Sequence, residues 1–131
     1  MSRDTIQRYF DAFNAGDVPS MLECLSEEVA HHVNEGKIRT GKALFSEFCD
    51  HMSECYKEEL TDMVIFVSDD GTRAAAEFVV NGAYLKTDPG LPEARGQKYV
   101  LPAGSFFTLD AGKITRVTTY YNLADWERQV A

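Results

Sequence analysis

Residues 97–113 read QKYVLPAGSFFTLDAGK, and this stretch decides the fold. Side chains on a strand alternate between its two faces, and the pattern predicts one long strand over residues 97–109. One face carries Tyr99, Leu101, Ala103 and Phe107, and the other carries Val100, Pro102, Phe106 and Thr108. Both faces are apolar, so both need cover. Helices of the same chain can cover one face, and we expect a second copy of the chain to cover the other.

Apolar residues also recur with a period of two in the segments before and after this strand. This pattern predicts further strands over residues 60–67, 72–84 and 114–121, joined in part by tight hairpin turns. A shorter strand is predicted over residues 29–34. Residues 85–96 are rich in proline and glycine, which predicts a long loop. These strands follow one another closely enough to form an antiparallel sheet.

The first half of the chain has a helical period instead. Apolar side chains recur at helical spacing over residues 6–13, and Gly16 suits the end of that helix. A short helix is predicted after Asp17 and a longer one after Gly41, while residues 124–130 predict a brief terminal helix or arm. Because helices and strands are segregated along the chain, the sequence predicts an α+β fold.

Size and charge narrow the class of protein. The chain has 131 residues, which predicts a single domain over 1–131. A net charge of −8 argues against nucleic acid or an anionic membrane as partner, because both require a basic face. The three cysteines, Cys24, Cys49 and Cys55, follow no disulfide spacing, so we expect reduced thiols in a cytoplasmic protein. No apolar run is long enough to span a bilayer.

Motifs for cofactor chemistry are absent from the sequence. It contains no Gly-rich phosphate loop, no nucleophile motif and no pair of catalytic carboxylates. Cys49, His51 and Cys55 are the residues nearest to a metal-binding pattern. On a helix, residues two apart point about 200° apart, so Cys49 and His51 diverge. We therefore expect neither a metal ion nor another cofactor.

Two stretches of the chain resemble known proteins. Residues 7–17 read QRYFDAFNAGD and closely resemble the opening of ketosteroid isomerases. Residues 96–104, GQKYVLPAG, and 120–126, YYNLADW, resemble the ketosteroid isomerase-related branch of the SnoaL-like proteins. The resemblance implies a nuclear transport factor 2-like fold, in which three N-terminal helices pack on a strongly curved, mixed, mainly antiparallel sheet to form a cone. This scaffold hosts isomerases, cyclases, dehydratases and plain binding modules.

The resemblance also implies a set of polar site residues. In ketosteroid isomerases an aspartate moves a proton beside a carbonyl, while a tyrosine and a protonated aspartate hold the resulting oxyanion. On this chain Tyr9 corresponds to the tyrosine, His32 to the general base and Gly104 to the second oxyanion donor. Because His31 and His32 are neighbours on a strand, only one of them can enter the pocket, and the matched register selects His32. Two of the three polar groups therefore differ from the family pattern.

The same register implies the walls of an enclosed, apolar substrate pocket. The implied lining residues are Phe13, Phe48, Met52, Phe78, Val80, Gly82, Gly104, Phe106, Thr119, Tyr121 and Trp126. Gly82 takes the place of an aromatic ring, which predicts a wider pocket than in the isomerases. Loop 85–96 suits a lid at its mouth, although a solvated loop is the commoner identity for such a segment.

Several functions remain open from the sequence. The leading hypothesis is a cofactor-free enzyme that moves a proton on a small apolar carbonyl compound, with His32 as base and Tyr9 as donor. A dehydratase or polyketide cyclase reaction in the same pocket is a second. A dimeric module that binds an apolar ligand without turnover is a third, and a protein–protein adaptor a fourth. Each catalytic candidate has a non-catalytic alternative: Tyr9 as a core tyrosine, and His32 as a polar residue that lines the pocket.

Overall fold

The computed structural model describes residues 1–34 and 36–131. Within this part of the chain lie four helices and six strands: α1 (Ser2–Ala15), α2 (Val18–Glu23), β1 (Leu25–His32), β2 (Ile38–Thr40), α3 (Lys42–Cys55), β3 (Tyr56–Val67), β4 (Arg73–Tyr84), β5 (Gln97–Asp110), β6 (Lys113–Tyr121) and α4 (Leu123–Val130). None of the helices described has the length and apolar character needed to cross a membrane.

The six strands form one open, mixed sheet. Their order across the sheet is β2-β1-β6-β5-β4-β3. Strands β1 and β6 are parallel, and every other neighbouring pair is antiparallel. Irregular pairing interrupts β1, β3 and β5, and such bulges bend a sheet and increase its twist. The predicted α+β class and the mainly antiparallel mixed sheet are confirmed.

Helices α1 and α3 cover one face of this sheet, which we call the inner face. The side chain of Asn14 fixes α1 to β3, because its Nδ2 donates to the carbonyl of Leu60 at 3.0 Å and its Oδ1 accepts from the Leu60 amide at 2.9 Å. The apolar side of α1 is buried at Ile6 and Phe10, as its spacing predicts. Phe45 is the buried anchor of α3. The core therefore lies between these two helices and the inner face.

The sheet is longer at its start than the sequence predicts. Strand β1 begins at Leu25 rather than residue 29, because the exposed Glu27 and Glu28 conceal its apolar alternation. Strand β2 was not predicted at all, since it has three residues and no buried side chain. Strand β3 follows α3 directly at Tyr56, which adopts extended geometry with no turn residue between the elements.

The terminal helix α4 is held by its tryptophan. Asn122 caps it by accepting a hydrogen bond from the Asp125 amide at 3.0 Å. Trp126 is buried, and its ring lies edge-on to three tyrosine rings, those of Tyr56, Tyr84 and Tyr99, at centroid distances of 6.0, 5.0 and 6.0 Å. Trp126 thus anchors the C-terminal segment to the inner face.

Candidate active site

Strand register decides which histidine of β1 faces the helices. His31 pairs with Val117, and Val117 pairs with Phe107, so these three side chains form one row on the inner face. His32 pairs with Thr118, which pairs with Phe106, and this row lies on the outer face. The prediction that His32 points inward is therefore wrong. The register implied by the resemblance is shifted by one residue on this strand, and such a shift exchanges the two faces.

His31 is a buried histidine with an unpartnered nitrogen. His31 is 5% exposed, and the centroid of its ring lies 4.8 Å from that of Phe45 and 4.6 Å from that of Phe48. Its Nδ1 has no hydrogen-bond partner among the described residues. Burial, together with the positive charge of Arg39, lowers the pKa of the imidazole to about 4. At neutral pH the ring is therefore uncharged and has an unused nitrogen for a ligand or water.

Tyr9 lies against the same aromatic side chain as His31. Its ring is 6.4 Å from Phe45, 5.2 Å from Phe10 and 5.7 Å from Phe107, measured between centroids. Burial raises the pKa of the Tyr9 hydroxyl far above its usual range, so the group stays protonated and can only be a neutral hydrogen-bond donor or acceptor. Tyr9 and His31 thus border one region around Phe45.

Gly104, which was predicted at the position of the second oxyanion donor, does not lie on the inner face. Gly104 pairs with Glu77 and Tyr120, both exposed, so it belongs to the outer face. The inward positions beside it are Ala103 and Ser105. Ser105 is buried, and its Oγ lies 2.8 Å from Oγ1 of Thr119 across the sheet. Ser105 was not among the predicted site residues, although the alternation of the strand places it with Ala103 on the face opposite Gly104.

The space above Gly82 is filled. A Cβ atom on Gly82 would lie 2.2 Å from Cζ of Tyr99, so the tyrosine ring packs directly on the glycine. The prediction of a wider pocket at Gly82 is therefore wrong. The Tyr99 hydroxyl donates to Oε2 of Glu58 at 2.5 Å. Burial raises the pKa of the Glu58 carboxyl, so this group on the inner face keeps its proton at higher pH than an exposed glutamate does.

The alternation of strand β3 indicates an inward position for Glu58. Glu58 alternates with Tyr56 and Leu60, which are both buried, so its position in β3 points inward. A carboxyl group at an inward strand position requires a hydrogen-bond partner or a raised pKa. Tyr99 supplies the partner, and the glycine at position 82 makes room for it.

The remaining predicted wall residues divide into three groups. Buried on the inner side are Phe78, Val80 and Trp126. Directed inward but partly accessible are Phe13, Phe48, Met52, Thr119 and Tyr121. Phe106 is wrong as a wall residue, because it lies on the outer face and is 45% exposed. These partly accessible inward side chains lie on α1, α3 and β6, and we call the region that they border the recess.

Loop 85–96 is closely tied to the body of the protein. The Tyr84 hydroxyl donates to the Pro92 carbonyl at 2.6 Å and accepts from the Asp88 amide at 2.9 Å. Leu91 and Ala94 pack against the buried core. The predicted loop is present, and its role as a lid stays a prediction.

Comparison with known proteins agrees with this fold. A family model for the SnoaL-like domain matches residues 6–117. A crystal structure from Silicibacter sp. TM1040, described as a putative polyketide cyclase, is 72% identical, covers 99% of this chain and 95% of its own, and has a TM-score of 0.98. A second protein described in those words, from Pseudomonas putida KT2440, is 53% identical with a TM-score of 0.98, covering 100% of this chain and 98% of its own.

A more distant structure shares the fold alone. It is described as a putative isomerase from Bacillus subtilis and is 19% identical, with a TM-score of 0.80 over 98% of this chain and 91% of its own. A search of curated proteins gave no match. The family model covers most of the chain, and the Silicibacter and Pseudomonas structures match it over nearly their whole length. The chain belongs to the SnoaL-like domain family.

Proposed function

We propose that this protein is a cofactor-free acid–base catalyst acting on a small apolar carbonyl compound. The observation that carries the proposal is the unpartnered Nδ1 of His31, a buried polar atom on the inner face. A buried polar atom without a partner costs about 1–3 kcal/mol. Such an atom requires an explanation, and a ligand or a bound water would supply the missing partner.

The reaction begins with removal of a proton from the carbon beside the carbonyl. His31 is uncharged at neutral pH and accepts this proton on a ring nitrogen. Electrons move toward the carbonyl oxygen, and the protonated Tyr9 hydroxyl donates a hydrogen bond to that oxygen as its charge develops. The aromatic rings of Phe45 and Phe48 exclude water from this region, which strengthens both interactions. The resulting enol or enolate is the common intermediate for several reactions.

Isomerisation and cyclisation differ only after this first step. In isomerisation, the proton returns to another carbon of the same molecule. In an aldol cyclisation, the enolate carbon attacks a second carbonyl of the substrate, a C–C bond forms and the new alkoxide takes up a proton. The descriptions of the Silicibacter and Pseudomonas relatives favour cyclisation. The raised pKa of the Glu58 carboxyl makes Glu58 the candidate to supply the proton.

Proton removal is expected to be measurable without the natural substrate. Incubation with cyclic and aryl ketones in D₂O should replace the hydrogen beside the carbonyl by deuterium, and proton NMR follows the loss of its signal. Tyr9→Phe should slow this exchange by about 10²–10³-fold, because one oxyanion donor is lost. Tyr120→Phe is the matched control, since that hydroxyl lies on the outer face.

Binding in the same samples is read from Trp126, the single tryptophan of the chain. Ketones that enter the recess should change its fluorescence, because it contacts Tyr99. If ketones bind and none exchanges its hydrogen, the protein is a binding module and the catalytic proposal is wrong. If Tyr9→Phe exchanges as fast as the unchanged protein, the role of Tyr9 is wrong.

The outer face supports a proposal of its own, that the chain is a homodimer through the sheet. One row across this face reads Phe66, Ala75, Phe106, Thr118 and His32. Large apolar side chains exposed on the outer face are Val64, Phe66, Val100, Phe106 and Tyr120, each between 44% and 57% accessible. The Phe106 and Tyr120 rings contact each other edge-on at 5.9 Å. A continuous apolar surface of this kind is typical of an interface.

A single charge at the centre of the outer face is expected to separate the dimer. Phe106→Asp would bury an unpaired carboxylate in the interface, which typically costs several kcal/mol. Analytical ultracentrifugation should give twice the 14.7 kDa chain mass for the unchanged protein and a monomer for the variant. Ser53→Asp, an equal charge on the exposed side of α3, should remain dimeric. An unchanged protein that sediments as a stable monomer would refute the dimer.

A further inference from the structure

A second group of reactive side chains lies where loop 85–96 meets the end of α3. His51, Cys55 and Asp88 each offer one ligand atom, and the three atoms lie within 4.8 Å of one another. Nε2 of His51 is 2.9 Å from Oδ1 of Asp88 and 4.0 Å from Sγ of Cys55. Of the residues considered from the sequence, His51 and Cys55 lie together, while Cys49 is not part of the group, and Asp88 joins them from a loop distant in sequence.

The three atoms have the spacing that a tetrahedral metal site needs. His51 and Cys55 are four residues apart, so they lie on one side of α3. Zinc binds His nitrogen and carboxylate oxygen at about 2.0–2.2 Å and thiolate sulfur at about 2.3 Å, which puts neighbouring donor atoms roughly 3.3–3.7 Å apart. The separations of 2.9 and 4.0 Å fall on either side of that value. All three separations are 4.8 Å or less, so we expect side-chain rotation to bring the three atoms onto one ion.

Neighbouring groups already hold the ligands in place. The Tyr56 hydroxyl donates to Oδ2 of Asp88 at 2.7 Å, which orients the carboxylate and leaves Oδ1 directed at His51. The Leu85 amide donates to the Cys55 carbonyl at 2.7 Å and joins the start of the loop to the helix end. Hydrogen bonds of this kind around metal ligands fix their orientation before the ion arrives.

We propose that His51, Cys55 and Asp88 form a binding site for a divalent transition-metal ion such as Zn²⁺, with water as the fourth ligand. The side chain of His51 is 44% exposed, which gives the ion and its water access from solvent. Binding releases the thiol proton of Cys55 to solvent, because the thiolate is the ligand. The ion replaces the contact between His51 and Asp88 and fastens loop 85–96 to α3. This inference is independent of the proposed reaction.

Cobalt(II) provides the test, because its spectrum reports both geometry and thiolate ligation. Titration of the metal-free, full-length protein should give one Co²⁺ per chain, with visible bands of a tetrahedral ion and a near-ultraviolet band from sulfur-to-cobalt charge transfer. Added Zn²⁺ should abolish these bands and raise the melting temperature by roughly 5 °C, because it binds the folded state.

Variants identify the ligands. His51→Gln and Asp88→Asn, at sites reached by solvent, should each weaken cobalt binding by about 100-fold or more, and Tyr56→Phe by about 10–100-fold. Cys49→Ser, on the same helix, should bind cobalt as the unchanged protein does. Cobalt binding without the charge-transfer band, no binding at all, or unaltered affinity in His51→Gln would each overturn the proposal.

Discussion

Replacing His31 with phenylalanine is expected to slow the exchange of the hydrogen beside a ketone carbonyl by about 10²–10⁴-fold, the range that general acid–base catalysis supplies. The same change should leave the fold intact. Phenylalanine is close to histidine in size and shape, and the ring would lie between Phe45 and Phe48 as the imidazole does. The variant also removes the unpartnered Nδ1, so we expect the free energy of unfolding to rise by about 1 kcal/mol.

His32→Phe is the matched control for this experiment. It makes the same substitution one residue further along β1, where the side chain faces Thr118 on the outer face. Deuterium exchange should stay close to that of the unchanged protein, and urea denaturation gives the stability of both variants. If His32→Phe abolished exchange and His31→Phe did not, the catalytic role would return to His32 and the register argument would fail. A loss of activity accompanied by unfolding of His31→Phe would also contradict the argument.

The pH dependence of stability and of deuterium exchange also tests the role of His31. In the unfolded chain the His31 imidazole has a pKa of about 6.5, while in the folded protein the pKa is about 4. Between these values the unfolded chain binds the proton and the folded protein does not, so His31 makes the protein less stable as the pH falls from 6.5 toward 4. Compared with the unchanged protein, His31→Phe should lose this part of the acid dependence. A base with this low pKa should also keep exchange activity well below pH 6.5.

Much of the fold followed from local patterns of the sequence. The helix of residues 6–13 and the strand of residues 97–109 have strong periods, and both are present as α1 and β5. The pattern failed where local signals are weak. Two exposed glutamates hide the start of β1, and β2 is too short and polar to have a pattern of its own. Strand β1 also depends on β6, a partner distant in sequence, and β2 is an edge strand that pairs with β1 alone.

The site was harder to predict than the fold, because it depends on register. Tyr9 lies on a helix whose apolar face is plain from the sequence, and the structure buries it. The predictions for His32 and Gly104 depended on the register implied by the resemblance, and an error of one residue exchanges inward for outward positions. The Glu58–Tyr99 pair required three strands to be aligned at once, since Glu58 pairs with Gly82 and Gly82 with Tyr99. No local pattern contains that information.

Gly82→Ala is expected to lower the free energy of unfolding by about 2–4 kcal/mol, a large effect for one methyl group. The added Cβ would lie 2.2–2.5 Å from three atoms of the Tyr99 ring, a distance at which the ring must move. Inserting a methyl group into a packed core costs about 1–3 kcal/mol. Movement of the ring also weakens the hydrogen bond from Tyr99 to the buried Glu58 carboxyl, and a hydrogen bond between uncharged groups contributes about 0.5–1.5 kcal/mol.

Gly104→Ala is the control, because it makes the same change on the outer face of the neighbouring strand. Its Cβ would lie 3.3 Å from the Ala76 carbonyl oxygen, and we expect a cost of less than about 1 kcal/mol. Thermal unfolding measures both variants, and Gly82→Ala should melt roughly 6–12 °C lower than the unchanged protein. The change in Trp126 fluorescence in the folded variant should report the displacement of Tyr99, since their rings are in contact.

Equal stability of Gly82→Ala and the unchanged protein would mean that Tyr99 leaves its position above Gly82 without cost. The wide pocket predicted at Gly82 would then be available by rotation of one side chain, and Glu58 would be free to contact a ligand directly. A large loss of stability would mean instead that Tyr99 is a fixed wall. In that case the Glu58 carboxyl acts on substrate only through the Tyr99 hydroxyl, and the recess ends at this ring. The experiment therefore sets the size of substrate that the proposed function can accept.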